Sequence, residues 1–213
     1  MFTGLIEEQG KIKSCKNTAE GMEITILCSK ILSDIKKGAS ICVNGVCQSV
    51  INYGSDYIQV QASNETLKVT NFNNIKPDDK VNLERALTIN KRIDGHFVSG
   101  HIDCTAEFIK CEDDGFSKKF FFKLPEKYTK YVIYKGSIAV NGVSLTVVSI
   151  INNIFSVELI PVTLKEVNLS SLKKGELVNI ETDLFAKCIE KIFNSKDNTS
   201  KVNYSFLAEN GFI

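Results

Sequence analysis

Small reactive side chains occupy matching positions in two nearly identical stretches of this chain. Residues 40–50 read SICVNGVCQSV and residues 137–147 read SIAVNGVSLTV, so seven of the eleven positions agree. The thiol of Cys47 in the first stretch is matched by the hydroxyl of Ser144 in the second. Both groups can act as nucleophiles or as hydrogen-bond donors, and a thiolate is the stronger nucleophile. The repeat therefore predicts two equivalent sites with one chemical difference between them.

A second hydroxyl follows two residues after each of these groups, at Ser49 and at Thr146. Alternate side chains of a β-strand lie on the same face, so each stretch presents two small polar groups side by side. Small polar residues that only face solvent would produce the same pattern, and that interpretation stays open here. The occurrence of both groups on the same face in both copies favours a functional role.

The chain contains two histidines, His96 and His101, both within the segment GHFVSGH. Histidine is the side chain best suited to proton transfer near neutral pH. On an extended segment, residues five apart face opposite sides, and no cluster of cysteines or acids completes a ligand set. We therefore predict no shared metal ion. A histidine in such a context is more often structural, and we assign that role to His96.

The duplication extends over most of the chain. Three further pairs of segments recur in the same order, 96 or 97 residues apart: FTGLIE (2–7) with VSGHID (98–103), TLK (66–68) with TLK (163–165), and VNLE (81–84) with VNIE (178–181). Chance does not produce four matched blocks in one order, so the halves are homologous. We predict an N-terminal half at 1–90, a C-terminal half at 91–186 and a tail at 187–213.

Each half has the pattern of β-structure. Valine and isoleucine alternate with polar residues over several short segments, and Asn44-Gly45 and Asn141-Gly142 are typical of two-residue hairpin turns. About six short strands per half, with small helices between some of them, favour closed barrels, because closure leaves no exposed sheet edge. We predict an all-β fold with short helices, built as two tandem, homologous six-stranded Greek-key β-barrels.

The tail has a different periodicity. Between residues 183 and 193, apolar side chains recur at helical spacing: Leu184, Phe185, Cys188, Ile189 and Ile192. We predict a C-terminal amphipathic helix that contacts other subunits. A helix that folds back on its own barrel is the alternative.

Charge and composition exclude several classes of protein. The formal net charge of the 213 residues is +1, so the chain lacks the basic excess that nucleic-acid binding requires. The N-terminus has no signal-peptide pattern, and the longest uncharged segment, 137–155, contains a predicted hairpin, so we expect no membrane span and a cytoplasmic protein. Seven cysteines without a CxxC pair predict neither a disulfide framework nor a zinc site. No nucleotide-binding glycine motif occurs.

Taken together, the motifs resemble one known family. MFTG, the paired VNGV hairpins, ETL, VNLERAL, GHFVSGHID, IPVTL and VNIETD have the order and spacing of riboflavin synthases of the alpha-chain type, over about residues 1–190. The resemblance implies a transferase that takes two molecules of 6,7-dimethyl-8-ribityllumazine and moves a four-carbon unit from one to the other. The products would be riboflavin and 5-amino-6-ribitylaminouracil, in the last step of riboflavin biosynthesis.

The same resemblance implies a homotrimer that uses neither a metal ion nor an organic cofactor. Each half is expected to bind one lumazine, with the active site between the N-terminal barrel of one subunit and the C-terminal barrel of its neighbour. Two homologous pockets related by a pseudo-twofold axis would hold two identical substrates face to face. Such positioning can lower a barrier by roughly 7–11 kcal/mol. Association of the trimer with lumazine synthase is left open.

The family's motifs also indicate substrate-binding residues in both halves. In the N-terminal pocket these are Gly4, Leu5, Ile6, Cys47, Gln48, Ser49, Gln61, Ala62, Ser63, Asn64, Glu65 and Thr66. In the C-terminal pocket they are Gly100, His101, Ile102, Ser144, Leu145, Thr146, Leu159, Ile160, Pro161, Val162, Thr163 and Leu164. Four more positions match residues near the substrate: Ser40, Asn82, Asp183 and Lys135, the last toward the ligand of a neighbouring subunit.

Roles in catalysis follow from the resemblance as hypotheses. Cys47 or a bound water is expected to add to one lumazine, and His101, with Thr146 or Ser144, to remove a proton from the 7-methyl group of the other. Ser40 completes the expected catalytic set. One substrate donates carbon and the other accepts it, so the two pockets must differ somewhere.

Two pairs of matched residues supply that difference: Cys47 with Ser144, and Leu5 with His101. One position departs from the family, since Gln48-Ser49 stands where Leu-Thr is usual. The departure bears on the detail of the pocket rather than on the class of protein.

A non-catalytic protein of the same fold is the alternative function. Lumazine- or flavin-binding antenna proteins of bioluminescence resemble the synthases but act as monomers with one chromophore. Both halves of this chain keep the hydroxyl-bearing strand, and the GH motif is present. These features favour the enzyme.

Overall fold

β-Strands account for about half of residues 8–182 in the computed structural model of this chain, which describes residues 1–196 and 204–210. The first six strands are β1 (Glu8–Thr18), β2 (Gly21–Leu27), β3 (Ser40–Val43), β4 (Val46–Tyr53), β5 (Tyr57–Ser63) and β6 (Lys80–Arg85). They close into a barrel in the order β1-β2-β5-β4-β3-β6, with every neighbouring pair antiparallel. Strands that are consecutive in sequence are thus not always neighbours, as in a Greek key.

The second barrel repeats the first, strand for strand. Its strands are β7 (Cys104–Asp114), β8 (Ser117–Lys123), β9 (Ser137–Val140), β10 (Val143–Ile151), β11 (Ile154–Leu159) and β12 (Leu177–Thr182). They close in the order β10-β11-β8-β7-β12-β9, which is the order of the first barrel shifted by six strands. The predicted fold class of two six-stranded barrels is confirmed.

Alternation along the strands fills the two barrel interiors with different side chains. The first core is aliphatic, with Ile24, Ile26 and Ile58 fully buried among other isoleucines and valines. The second core contains four neighbouring phenylalanine rings with centroids 5.5 to 6.5 Å apart: Phe108, Phe120, Phe122 and Phe155. Each fully buried side chain of this size contributes roughly 1.5–3 kcal/mol.

Short helices connect some of the strands. Helix α1 (Asn64–Val69) follows β5, and helix α2 (Pro161–Glu166) follows β11, at equivalent places in the two barrels. The Ser63 hydroxyl caps α1 by accepting a hydrogen bond from the Thr66 N–H. Proline begins α2, where its missing N–H is not needed. Single 3-10 turns lie at Lys30–Asp34, Asn71–Asn74, Glu126–Tyr131 and Asn168–Ser171.

The two barrels meet through their equivalent hairpin turns, Asn44-Gly45 and Asn141-Gly142. A Cβ atom built on Gly142 would lie 2.7 Å from the Gly45 nitrogen, and both glycines have positive φ. Glycine is thus required twice over, by the turn and by the close approach of the backbones.

Buried asparagines surround this contact in a nearly twofold-symmetric network. The Asn82 amide donates to the carbonyl of Asn141 at 3.0 Å, and the Asn179 amide donates to the carbonyl of Asn44 at 2.8 Å. Each of these four side chains is at most 3% exposed. Paired hydrogen bonds of this kind make the barrel contact specific as well as tight.

Residues 1–183, with both barrels, form one unit, and a second unit begins at Leu184. The second unit contains helix α3 (Leu184–Lys196) and helix α4 (Tyr204–Glu209). The predicted division between residues 186 and 187 therefore falls inside α3. Residues 197–203 and 211–213 of the predicted tail lie outside the described residues. Within the described ranges, no helix has the length and apolar character that crossing a membrane would require.

Candidate active site

The duplicated hairpins present their small polar residues on the outside of each barrel. On β4, Val46 and Val50 point into the core, so Cys47 and Ser49 lie on the outer face. Across the hairpin, Ser49 is paired with Ser40 on β3. Cys47, Ser49 and Ser40 thus lie together in one patch on the outer face of this hairpin.

The second hairpin repeats this patch with hydroxyls alone. Val143 and Val147 point into the second core, and Ser144 and Thr146 on β10 lie outside. Ser144 is partly buried and Thr146 is exposed. Hydroxyl groups placed in this way can donate to a ligand or exchange a proton with it.

The two glycine loops lie against the opposite barrel, which corrects the predicted grouping of residues. The sequence groups Gly4 with Cys47, but the Gly4 carbonyl accepts a hydrogen bond from the Ser144 N–H at 2.8 Å. Likewise the Gly100 carbonyl accepts from the Cys47 N–H at 2.8 Å. The loops cross because Phe2 and Val98 pair as a β-bridge between the barrels.

The side chains that follow these glycines also pack against the opposite barrel. Ile6 packs against the core of the second barrel, and Ile102 packs against the core of the first. One patch of the chain therefore combines the loop of residues 4–6 with the Ser144 strand, and the other combines the loop of residues 100–102 with the Cys47 strand. Leu5 and His101 are both exposed, each in its own patch.

Two glutamates hold the glycine loops in place. The buried Glu84 carboxylate accepts hydrogen bonds from the Thr3 N–H at 2.7 Å, from the Thr3 hydroxyl at 2.7 Å and from the Gly4 N–H at 3.0 Å. Burial raises the pKa of Glu84, and these donors and Lys91 oppose that effect. Glu181 binds Ser99 and Gly100 in the same way in the second loop.

Both glycines touch the strand that they cross. A Cβ atom on Gly4 would lie 2.6 Å from the Ser144 Cβ, and one on Gly100 would lie 2.5 Å from the Cys47 Cβ. Both have positive φ, at 78° and 83°. A side chain at either position would push the loop away from the residue expected to react.

The sequence predicts a structural role for His96, but the structure brings its ring to a predicted site residue. Its Nδ1 lies 2.7 Å from the Ser144 hydroxyl oxygen. Burial lowers the pKa of His96, and the charges of Asp183 and Glu181 partly oppose this shift. A neutral imidazole at this distance can accept the proton of Ser144. The repeat could not reveal this contact, because His96 belongs to no matched block.

The third predicted segment of each pocket starts where a strand ends and a helix begins. Ala62 and Leu159 are fully buried in the cores and can offer a ligand only their backbone. The exposed side chains of the two segments are Gln61, Ser63, Asn64, Glu65, Ile160, Pro161 and Val162, with Thr66, Thr163 and Leu164 partly buried. The Thr66 and Ser63 hydroxyls lie 3.0 Å apart and can hold one hydroxyl-rich ligand together.

Two predicted binding residues face inward as Ala62 and Leu159 do. Gln48 and Leu145 occupy equivalent inward positions on β4 and β10 and are 6% and 8% exposed. The Gln48 amide donates to the Cys47 carbonyl at 2.9 Å, and its own carbonyl oxygen is buried without a partner. The departure from the family's usual leucine therefore changes the barrel interior.

Asn82 also lies away from the patches. Its side chain is 1% exposed and is engaged by Asn141 and Asn168 in the network between the barrels. The sequence predicts that Asn82 lies near the substrate. In the structure its side chain instead joins the two barrels.

Lys135 is exposed at the turn before β9 and has a positive φ of 62°. Its ammonium group lies 5.4 Å from the centre of the Tyr134 ring. Asp183 is partly buried, close enough to influence His96 by its charge. The exposed Lys135 ammonium group thus remains accessible from solvent.

A cavity of about 700 Å³ lies elsewhere in the two-barrel unit. It opens beside the buried asparagines and the turns around Lys76 and Lys173, and the predicted site residues do not line it. No group of three or more histidines, cysteines or acids that could hold a metal ion occurs among the described residues. The predicted site residues of the two hairpins thus form two surface patches on the described part of the chain.

Comparison with known proteins identifies the repeated unit. The family model of the lumazine binding domain matches the chain twice, over residues 3–86 and 99–183. The two matches coincide with the two barrels and include both glycine loops and both hairpins.

Proteins of similar sequence match over nine-tenths or more of this chain. A riboflavin synthase from Bacillus subtilis is 42% identical, with 100% of each chain covered, and one from Actinobacillus pleuropneumoniae is 41% identical with the same coverage. A riboflavin synthase from Schizosaccharomyces pombe is 38% identical over 90% of this chain and 93% of its own length.

Solved structures of similar fold contain bound lumazine or flavin. LumP complexed with riboflavin superposes with a TM-score of 0.79 at 26% identity, covering 85% of this chain and 99% of LumP. LumP complexed with 6,7-dimethyl-8-(1'-D-ribityl) lumazine superposes with a TM-score of 0.78 at 25% identity and the same coverage. Because the two lumazine-binding repeats agree with 38–42% identity to riboflavin synthases over 90–100% of the chain, this chain belongs to the riboflavin synthase family.

Proposed function

We propose that this chain catalyses the riboflavin synthase reaction. Two molecules of 6,7-dimethyl-8-(1-D-ribityl)lumazine dismutate, and a four-carbon unit passes from one to the other to give riboflavin and 5-amino-6-(D-ribitylamino)uracil. The full-length identity of about 40% to riboflavin synthases carries this conclusion. The two lumazine-binding barrels, each with a complete hairpin and loop, match the need for two identical substrates.

The active site lies between subunits in this proposal. Both patches of one chain are open, and two lumazines can react only when their rings lie face to face. The Cys47 patch of one subunit would face the Ser144 patch of its neighbour, and repetition of that contact around a threefold axis gives a homotrimer. This head-to-tail arrangement closes after three copies.

The second unit supplies a surface suited to assembly. Exposed apolar side chains follow one another along α3: Leu184, Phe185, Ile189, Ile192 and Phe193. Exposed apolar side chains grouped along one helix are typical of protein–protein contact surfaces. We propose that α3 contacts its copies in the trimer, as the sequence predicted.

Residue roles follow from the two patches. His96 accepts the proton of Ser144 and activates or orients it toward one lumazine, while Cys47 and His101 act on the other. The exchange of loops places His101 in the Cys47 patch. Its expected partners Ser144 and Thr146 would therefore come from the neighbouring subunit.

Turnover is tested by mixing the protein with dimethylribityllumazine and following riboflavin formation by absorbance. We expect Cys47→Ser and His101→Gln to lower turnover while lumazine binding stays measurable by fluorescence. Wild-type turnover in His101→Gln would remove this residue from the mechanism. Failure of the wild-type protein to form riboflavin would overturn the function itself.

Complementation tests where the active site lies. A chain with Cys47→Ala is expected to be damaged in one patch and a chain with Ser144→Ala in the other. Trimers assembled from both variants contain some contacts in which two intact patches meet, so activity should exceed that of either variant alone. No gain on mixing, with exchange of subunits verified by native mass spectrometry, would place both substrates within one chain.

A non-catalytic lumazine- or flavin-binding protein is the second candidate, because the LumP structures hold such ligands on the same fold. It predicts a monomer that binds one ligand per chain without producing riboflavin. Sedimentation and ligand titration distinguish the two. A cytoplasmic location and association with lumazine synthase stay predictions from the sequence.

A further inference from the structure

Two cysteines face each other across the first hairpin. Cys42 on β3 is directly opposite Cys47 on β4, and Asn44-Gly45 forms the two-residue turn between the strands. The Cys47 N–H donates to Gly100 outside the hairpin, so the two cysteines form a non-hydrogen-bonded cross-strand pair. The Cα atoms of such a pair are about 4.5 Å apart, within the range of roughly 4.4–6.8 Å that a disulfide spans.

Both side chains are on the outer face of the barrel, and they differ in exposure. Cys42 is 1% exposed and belongs to a small apolar cluster with Phe2, Val98 and Ala139. Cys47 packs against this cluster and is only partly buried. A small oxidant from solvent therefore reaches Cys47 first, with Cys42 directly behind it.

The second barrel lacks this pair. The residues equivalent to Cys42 and Cys47 are Ala139 and Ser144, which face each other in the same register. Among the strand registers of the described residues, Cys42 opposite Cys47 is the one cysteine pair. A facing pair of cysteines therefore occurs in the first barrel and has no equivalent in the second.

We propose that Cys42 and Cys47 are a redox pair that hydroperoxides convert reversibly into a cross-strand disulfide. The Cys47 thiolate attacks the peroxide oxygen and becomes a sulfenic acid, and the oxygen that leaves is released as water or alcohol. The Cys42 sulfur then attacks the sulfenic sulfur, the S–S bond forms, and the hydroxyl leaves with the Cys42 proton as water. Two thiols are oxidised by two electrons, and one peroxide is reduced.

Burial makes Cys42 a resolving residue rather than a reactive one. Burial, with the nearby Glu84 charge, raises the pKa of Cys42 well above its ordinary value, so this residue stays a thiol until the sulfenic acid forms beside it. All seven cysteines are free thiols in the structure. The disulfide would also protect Cys47 from irreversible oxidation to a sulfinic acid.

The consequence for turnover rests on the proposed function. The disulfide removes the Cys47 thiol from the patch that holds one lumazine. Oxidised protein should therefore lose most of its riboflavin synthesis, and a thiol reductant should restore it.

The chemical step is tested by mass, without reference to activity. A full-length parent carrying Cys111→Ser and Cys188→Ser avoids linkage between chains, because these are the two exposed cysteines. After treatment with hydrogen peroxide, the intact mass should fall by two hydrogens, and proteolysis should release one linked peptide pair containing Cys42 and Cys47. Dithiothreitol should reverse the change.

Cys42→Ala in this parent is the matched control, since it recreates the Ala139 arrangement of the second barrel. It should lose no hydrogens on oxidation, and dimedone should instead trap a sulfenic acid at Cys47. An unchanged mass of the parent, a link between other cysteines, or the same loss in the Cys42→Ala variant would overturn the proposal. A disulfide that leaves turnover intact would overturn its regulatory part and also remove Cys47 from catalysis.

Discussion

His96 most clearly defines the chemistry of its patch at the scale of single residues. Its ring is partly buried, its Nδ1 lies 2.7 Å from the Ser144 hydroxyl, and its Nε2 has no partner within the described chain. Burial lowers the pKa of His96, so the neutral imidazole predominates at neutral pH. That neutral form is the one that can accept a proton from Ser144.

We expect the His96 imidazole to titrate below its ordinary value of 6.5. The unfolded chain then binds this proton at a higher pH than the folded protein does. The free energy of unfolding should therefore decrease as the pH falls from about 6.5 to the pKa of folded His96, with no contribution from this residue at higher pH. Imidazole NMR signals and urea unfolding at several pH values measure both effects.

His96→Gln is the control for this prediction. It removes one of the two histidine signals and identifies the other. The difference in unfolding free energy between the two proteins should change across this pH interval. Two results would show that the ring is not held neutral. One is a difference in unfolding free energy that does not change with pH, and the other is an NMR titration of His96 with its midpoint at or above 6.5.

The buried position of Gln48 leads to a prediction about stability. Its side-chain carbonyl is buried in the first barrel without a hydrogen-bond partner, which typically costs about 1–3 kcal/mol. Gln48→Leu should therefore raise the free energy of unfolding by about 1–2 kcal/mol and leave lumazine binding nearly unchanged. Urea unfolding and ligand fluorescence check the two statements.

The second barrel provides the matched variant. Leu145 occupies the position equivalent to Gln48 and is buried in the core. Leu145→Gln should lower the free energy of unfolding by about 2 kcal/mol or more, because it buries an amide among apolar side chains. Equal and small effects of both substitutions would mean that water satisfies the Gln48 carbonyl.

At the scale of elements, the turn before β9 combines strain with a charge. Lys135 has a φ of 62°, and its equivalent in the first barrel is Gly38, with a φ of 86°. A left-handed conformation costs a non-glycine residue roughly 1–2 kcal/mol. Strained backbone of this kind clusters at functional sites, so we expect the Lys135 ammonium group to contact a ligand.

Lys135→Gly should stabilise the protein and weaken ligand binding. Glycine removes the free-energy cost of the positive φ but loses more conformational entropy on folding. The net gain in the free energy of unfolding is about 0.5–1 kcal/mol. The loss of an ammonium group that binds ligand should lower lumazine affinity by about tenfold. Thermal unfolding and fluorescence titration provide the measurements.

Asn152→Gly is the control for Lys135→Gly. Asn152 also has a positive φ, in the hairpin turn between β10 and β11, and asparagine tolerates this conformation. Its replacement should change stability less and leave lumazine affinity unaltered. If Lys135→Gly binds lumazine as tightly as the wild type, Lys135 has no role in the site.

At the scale of the whole molecule, the contact of the two hairpin turns joins the barrels. Gly45 and Gly142 meet backbone to backbone, and buried asparagines bond across the contact. The same VNG sequence thus serves two purposes, since it makes each turn and allows the turns to touch. The glycine loops depend on this contact, because each of them crosses to the other barrel.

Gly142→Ala should destabilise the protein much more than Gly115→Ala. Both glycines have positive φ, so both variants lose roughly 1–2 kcal/mol to backbone strain. A Cβ on Gly142 would lie 2.7 Å from the Gly45 nitrogen, whereas one on Gly115 meets nothing within 4 Å. Gly142→Ala should therefore lower the free energy of unfolding by about 2 kcal/mol or more beyond the loss in Gly115→Ala. This difference measures how much the contact between the barrels contributes to stability. Urea unfolding that gives equal losses would contradict this account.

Much of the fold follows from the sequence because its causes are local or repeated. Alternation of apolar residues indicates the strands, Asn-Gly indicates the hairpins, and repetition at one offset indicates two barrels. The outward position of Cys47, Ser144 and their neighbours follows from the same alternation. Family motifs add the class of reaction.

Only the tertiary structure decides which of these residues meet. Gly4 lies on Ser144 and Gly100 lies on Cys47, each across to the other barrel, and His96 reaches Ser144 over 48 residues of sequence. The inward Gln48 and the buried Asn82 similarly depend on what surrounds them. A repeat reveals that two segments are alike, but contacts between unlike segments arise from the packing of one barrel against the other, which no local pattern encodes.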